Sequence, residues 1–132
     1  MDAIRNVPRR ELLSLLEEQE PMRAHAATLR AAAAGDPIDV AAAIGHWQRL
    51  WRGGLARHCL DEEARLVVWL PGSPELTRLH ADHGALRRLS AELERTPTSA
   101  TLLALLGVLV SHLDWERDCL LPALIAAMDA DA

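Results

Sequence analysis

The chain has 132 residues, half of them hydrophobic, which is material for one core and too little for a second domain. A formal charge of −5 and a pI near 5.6, with arginines scattered among carboxylates, exclude the basic face that nucleic acid or an anionic membrane surface requires. The longest apolar run, Thr101 to Val110, is about half of a membrane span. The opening MDAIRNVPRR has no apolar centre of a signal-peptide kind, so a cytoplasmic protein with no membrane partner is expected.

Ala and Leu dominate, Phe and Tyr are absent, and β-branched residues are few, so the expected class is all-α. Arg9 to about Gln19 forms a short helical segment, and residues 1–19 are taken as an extension preceding a domain over 20–132. The first long helix has Pro21 near its start and ends at Gly35 and Pro37. The second runs from about Ile38 to Leu70, with Gly53 and Gly54 as a kink and PGSP at 71–74 as the stop. The third spans Pro74 to Arg95. After TPTS at 96–99, whose last Ser is a candidate cap, the fourth runs from about Ala100 to Met128 with Pro122 as a kink or break. Four helices joined by short loops predict an up-down-up-down four-helix bundle.

The apolar stripes contain polar residues. On the second helix, Trp47, Trp51, Leu55, His58, Glu62, Leu66 and Trp69 share an arc of about 100°. On the fourth, Leu105, Val108, Leu109, His112, Glu116, Cys119 and Ala123 do the same. On the third, His83 falls among Leu76, Leu79, Leu86 and Leu93, and on the first His25 shares a face with Met22, Leu29 and Ala32. Of the run Asp61, Glu62 and Glu63, only Glu62 lies on the His58 face, so its neighbours are expected in solvent.

An ionised carboxylate buried without a partner costs several kcal/mol or more, and a metal ion compensates that cost. His and Glu at i and i+4 sit one turn apart on one face, so each such helix offers an imidazole nitrogen and a carboxylate to a common site. A single His-x-x-x-Glu is usually a solvated pair; two inward pairs, with an inward histidine on each remaining helix, point to a dinuclear centre. Imidazole with carboxylate suits iron, manganese or zinc, and the absence of a thiolate set disfavours structural zinc or an iron–sulfur cluster. Iron is preferred. If both glutamates bridge two octahedral ions and four histidines give one bond each, a bridging oxygen fills about ten of twelve positions and leaves about two open.

The order His25, His58-x-x-x-Glu62, His83, His112-x-x-x-Glu116, set in RHCLDEEARL, HADHGALRRL and SHLDWERDCLLPAL, resembles the hemerythrin-like, or HHE cation-binding, domain family over about residues 20 to 125. The resemblance implies a bundle holding two iron ions in an oxo- or hydroxo-bridged non-haem di-iron centre. Glu62 and Glu116 would be bridges, and His25, His58, His83 and His112 terminal ligands. It implies a small diatomic or peroxide ligand, with roles from oxygen carriage and sensing to peroxide or nitric oxide chemistry and repair of iron centres.

The oxygen-carrying members have a carboxylate five residues after the last histidine, where this chain has Arg117, and His-x-x-x-His on the third helix, where it has His80 and His83. A sensor, store or redox protein is therefore expected before a reversible carrier. A peroxide-consuming di-iron enzyme and a metal-free helical interaction module are the alternatives.

His80 is either a fifth histidine ligand or a surface or supporting residue. A carboxylate among Glu17, Glu18 and Glu20 competes with His25 for the helix-one position. His46, about 18 Å from His58 along a straight helix, is expected outside the site. Trp47, Trp51 and Trp69 are read as core residues that would also line a dry pocket. The thiols of Cys59 and Cys119 are read as core filling, with Cys119 facing the site and open to oxidation by peroxide.

Overall fold

The computed structural model describes Arg10 and residues 19–131. The predicted short segment from Arg9 to Gln19 lies, apart from Arg10 and Gln19, outside them. The described residues form four helical rods and no strand. The first rod is α1 (Gln19–Ala33). The second is α2 (Pro37–Leu50), a wide turn (Trp51–Leu55) and α3 (Ala56–Trp69). The third is α4 (Pro74–Arg95). The fourth is α5 (Ser99–Trp115), a second wide turn (Glu116–Leu120) and α6 (Leu121–Ala130). They make the expected up-down-up-down bundle, in which α5 packs against α1 and α4, and α3 against α4 and α6.

The helix starts follow from side chains that bind otherwise orphaned backbone N–H groups. Asp36 Oδ1 accepts from Asp39 N at 2.9 Å, and Pro37 stands at the first helical position, where no N–H is needed. Ser73 Oγ accepts from Leu76 N at 3.1 Å ahead of Pro74, after a turn in which Gly72 takes the positive φ that suits glycine. The start of α5 departs from expectation by one residue. Thr98 is the cap, accepting from Thr101 N at 3.1 Å, and Ser99 Oγ instead donates to Ala33 O at 2.8 Å, tying the start of α5 to the end of α1.

Each long rod is interrupted by a π turn. Ala56 N–H reaches back to Trp51 O, and Leu121 N–H to Glu116 O, five residues instead of four. The first coincides with Gly53 and Gly54, the poorest helix formers in the segment. The second lies just before Pro122, which has no N–H to give to Asp118 O and whose ring crowds that carbonyl; the wider turn removes the conflict. The rods therefore bend, as the glycines and proline suggest, but by changing register.

The core lies in two parts. One cluster gathers Ala26, Leu29, Ile44, Trp47, Leu86, Leu93, Leu102, Leu105 and Leu109. The other gathers Leu66, Trp69, Leu76, Leu79, Leu120, Leu124 and Met128. On α4, His83 stands between Leu79 of one and Leu86 of the other; on the fourth rod His112 and Glu116 stand between Leu109 and Leu120. A polar layer thus separates two apolar ones. Within the first, Trp47 Nε1 donates to the buried Ser90 Oγ at 3.0 Å. Ser90→Ala strands that indole N–H and is expected to cost about 1–3 kcal/mol in urea unfolding; a change below about 0.3 kcal/mol overturns the assignment.

Candidate metal centre

Five polar residues are buried among the described ones: Glu62, His83, Ser90, His112 and Glu116. Four of these form the polar layer. Glu62, His83, His112 and Glu116 each offer one donor atom, and these atoms all lie within 4.8 Å of one another. Glu62 is wholly inaccessible, yet neither of its oxygens makes a hydrogen bond. His83 Nε2 faces its Oε1 at 3.2 Å and His58 Nε2 faces its Oε2 at 3.4 Å, as ion-pair contacts. Across the layer, His112 Nε2 meets Glu116 Oε1 at 2.6 Å, and the amide Nε2 of Gln19 donates to Glu116 Oε2.

The outer edges of the imidazoles are also held. Asp82 Oδ2 takes His112 Nδ1 at 2.8 Å and is itself gripped by Arg78 Nε at 3.0 Å. Glu63 Oε1 lies 3.7 Å from His83 Nδ1, and its carboxylate is anchored by Arg87 at 2.6 Å and His80 Nδ1 at 2.9 Å. The carboxylate bonded to the far nitrogen of His112 fixes its ring orientation and turns Nε2 toward the layer, the usual support of a metal-binding histidine, while His83 Nδ1 has the Glu63 carboxylate nearby without a hydrogen bond to it.

The sequence-derived residues divide accordingly. Glu62, His83, His112 and Glu116 come together, and His58 borders them. His25 does not join them: its ring packs on His46 at 5.3 Å between centroids. Among the described residues of α1, Gln19 reaches the layer, and six residues of helix carry His25 about 9 Å further along the axis, to the level of the first apolar cluster. Glu20 is exposed, and Glu17 and Glu18 lie outside the described residues. His80 supports Glu63 from a position 55% exposed.

Three expectations are corrected. Glu63 is not solvated; its side chain is only 11% exposed, because α4 places Arg87 and His80 over it. Cys119 is exposed, because the π turn swings it outward and brings Leu120 inward. The tryptophans do not line the pocket beside the site. Trp47 stacks on Trp51 in one apolar cluster and Trp69 belongs to the other. A cavity of about 380 Å³ opens onto the polar layer between walls of Met22, Leu50, Leu55, Leu86, Leu109 and Leu113.

Gln19 and Asp82 were not anticipated. Gln19 falls at the end of the predicted Arg9 to Gln19 segment, and a side-chain amide carries no ligand signal of its own. Asp82 has a signal only in combination, since its value lies in facing a histidine of the neighbouring helix.

Charge in the layer is shared unequally. Burial pushes the Glu116 carboxyl up to about 7, the negative charge of Glu62 adds to this, and His112 opposes it. Burial would also raise Glu62, but His58 and His83 outweigh it and hold this carboxyl well below its ordinary range. His112 goes up to about 9, because its bonds to Asp82 and Glu116 outweigh the burial that would lower it. The Cys59 thiol, also lining the cavity, is pushed up to about 12 by burial and by Glu62.

The chain belongs to the hemerythrin HHE cation-binding domain family, whose family model it matches over residues 11–124. No curated protein and no solved structure matches it. Its buried His/Glu group is the kind of site by which a member of such a family would hold a metal.

The shifts define a pH profile for the metal-free protein. Folded Glu116 keeps a proton that the unfolded chain releases, so its contribution to stability falls as pH rises from 4.5 to about 7. His112 behaves alike from 6.5 to about 9, whereas Glu62 costs stability only as pH drops below 4.5. Melting temperature without metal is expected to peak near pH ~5 and decline toward pH ~9, and Glu116→Gln to flatten the decline below pH ~7. A wild-type curve rising from pH ~5 to ~8 contradicts this assignment.

Proposed function

We propose that the protein is a cytoplasmic non-haem di-iron protein in which Glu62 and Glu116 bridge two iron ions and His58, His83 and His112 bind them terminally. In this reading it binds or reacts with a small ligand, O₂, NO or peroxide, as a sensor, store or redox protein. His25, held against His46, is left out of the set.

The observation that carries the reading is Glu62, a fully buried carboxylate kept ionised with no hydrogen bond to either oxygen. Such a group is costly unless a cation meets it. Donor chemistry supports iron: imidazoles and carboxylates converge on the layer, while the one thiol in the cavity is held protonated by burial. No described helix is long and apolar enough to cross a membrane, and the net charge gives no basic face for nucleic acid.

When bound, the iron pair would supply an electron reservoir and exchangeable positions for the ligand. The protein's own residues do the rest. Asp82 holds the proton on His112 Nδ1, so the Nε2 lone pair is the one offered inward. Glu63, clamped by Arg87 and His80, places a negative charge 3.7 Å from the outer nitrogen of His83. The apolar cavity walls give an apolar diatomic a path to the layer while discouraging bulk water.

Anaerobic loading with ferrous iron, followed by gel filtration and elemental analysis, is expected to retain about two irons per chain and to give visible absorption on admission of air. Because Glu116 and His112 must release protons to bind metal, retention should strengthen as pH rises from ~6 to ~8. Glu62→Ala should abolish retention of the pair while leaving the metal-free bundle as stable as wild type or more so. Recovery of no iron sinks the proposal.

A further inference from the structure

The cavity beside the layer has a volume of about 380 Å³. A water molecule's share of the liquid is about 30 Å³, and O₂ or peroxide is of the same order, so such a ligand fills about a tenth of the space. Sites for organic molecules begin at about 300 Å³. All four rods wall the cavity with apolar side chains: Met22 from the first, Leu50 and Leu55 from the second, Leu86 from the third, Leu109 and Leu113 from the fourth.

The two ends are unlike. At the inner end stand the buried Glu62 and Glu116. At the other, Arg49, Gly53 and Gly54 line the space and are exposed, so this is where it meets solvent. Arg49 precedes His58 by nine residues of the second rod, about 13 Å of rise. It is the one arginine among the described lining residues, and an exposed arginine so placed lays its methylene stem on the apolar wall and keeps its guanidinium in water.

We propose that the cavity binds an organic amphiphile, a medium-chain monocarboxylate whose hydrocarbon chain lies between the leucines and whose carboxylate meets Arg49 at the solvent end. Elementary electrostatics sets this polarity. At the inner end the ligand's carboxylate would lie dry beside two further carboxyl groups. At Arg49 it keeps its water and finds a planar fork of donors that matches its two oxygens. The leucine walls then take the chain, which gains by every methylene removed from water. This site goes beyond the iron reading and does not need the metal.

The test is a calorimetric titration of the full chain, freed of metal by a chelator, with the straight-chain acids from butanoate to octanoate, with octan-1-ol and with octylamine. Octanoate is expected to bind once per chain and more tightly than the alcohol or the amine, with affinity rising about threefold to fourfold for each added methylene. Arg49→Gln should weaken octanoate about threefold and leave octan-1-ol unchanged, the modest effect of an exposed ion pair. Leu50→Trp and Leu55→Trp, at partly buried wall positions, should each fill the space and weaken acid and alcohol by about tenfold or more. Far-ultraviolet circular dichroism checks that each variant is folded.

The inference is overturned by octanoate that does not bind saturably, by an affinity flat in chain length, or by tighter binding of octylamine. Equal losses of acid and alcohol on Arg49→Gln, or unchanged binding in the folded tryptophan variants, overturn it as well. Where a tryptophan variant unfolds, the chain-length series and Arg49→Gln decide. Iron retention is measured separately, so this inference and the di-iron reading fail independently.

Discussion

The interaction on which the rest depends is the approach of Glu62 and Glu116 inside the bundle. Two carboxylates in one dry layer resist being charged together, and the protein answers with a proton on Glu116 and histidines against Glu62. Everything around them serves to make that tolerable. His112 is tied on both edges, Glu63 and Asp82 balance the imidazoles, and Arg78 and Arg87 balance those carboxylates in turn. The charge is passed outward through named pairs until it reaches water.

The two apolar clusters provide the frame within which this layer is held. Leu79 and Leu86 bracket His83, and Leu109 and Leu120 bracket the pair His112 and Glu116. A bundle with one continuous core would have no reason to keep a polar tier; here the tier is enclosed by Leu and Trp on both sides. The π turns begin or end close to it, one just before His58 and one starting at Glu116. Such turns are frequent at functional sites because they re-aim the side chains that follow.

Much of this was legible in the amino-acid order. Helix period, glycines and prolines disclosed four rods, and the embedding of His58, Glu62, His83, His112 and Glu116 in apolar stripes disclosed which polar groups to watch. What failed did so for a physical reason. A constant 100° per residue carries Cys119 to the inside, but one wide turn is enough to turn it out. His25 satisfied the period of its own helix, yet helix phase says nothing about height along the bundle, and the layer is met by Gln19. Glu63 and Asp82 are invisible to single-helix patterns because their meaning comes from the neighbouring rod.

The tryptophans, displaced from the pocket, acquire a different significance. Trp115 lies 5.5 Å from the His112 ring and beneath the Arg78 guanidinium, whereas Trp47 is sealed in the upper cluster with Ser90. With no tyrosine in the chain, all near-ultraviolet emission comes from indoles, one of them beside a candidate ligand and another remote from it. The molecule thus carries its own optical gauge: one indole reports on the state of the buried layer, another on whether the bundle is intact.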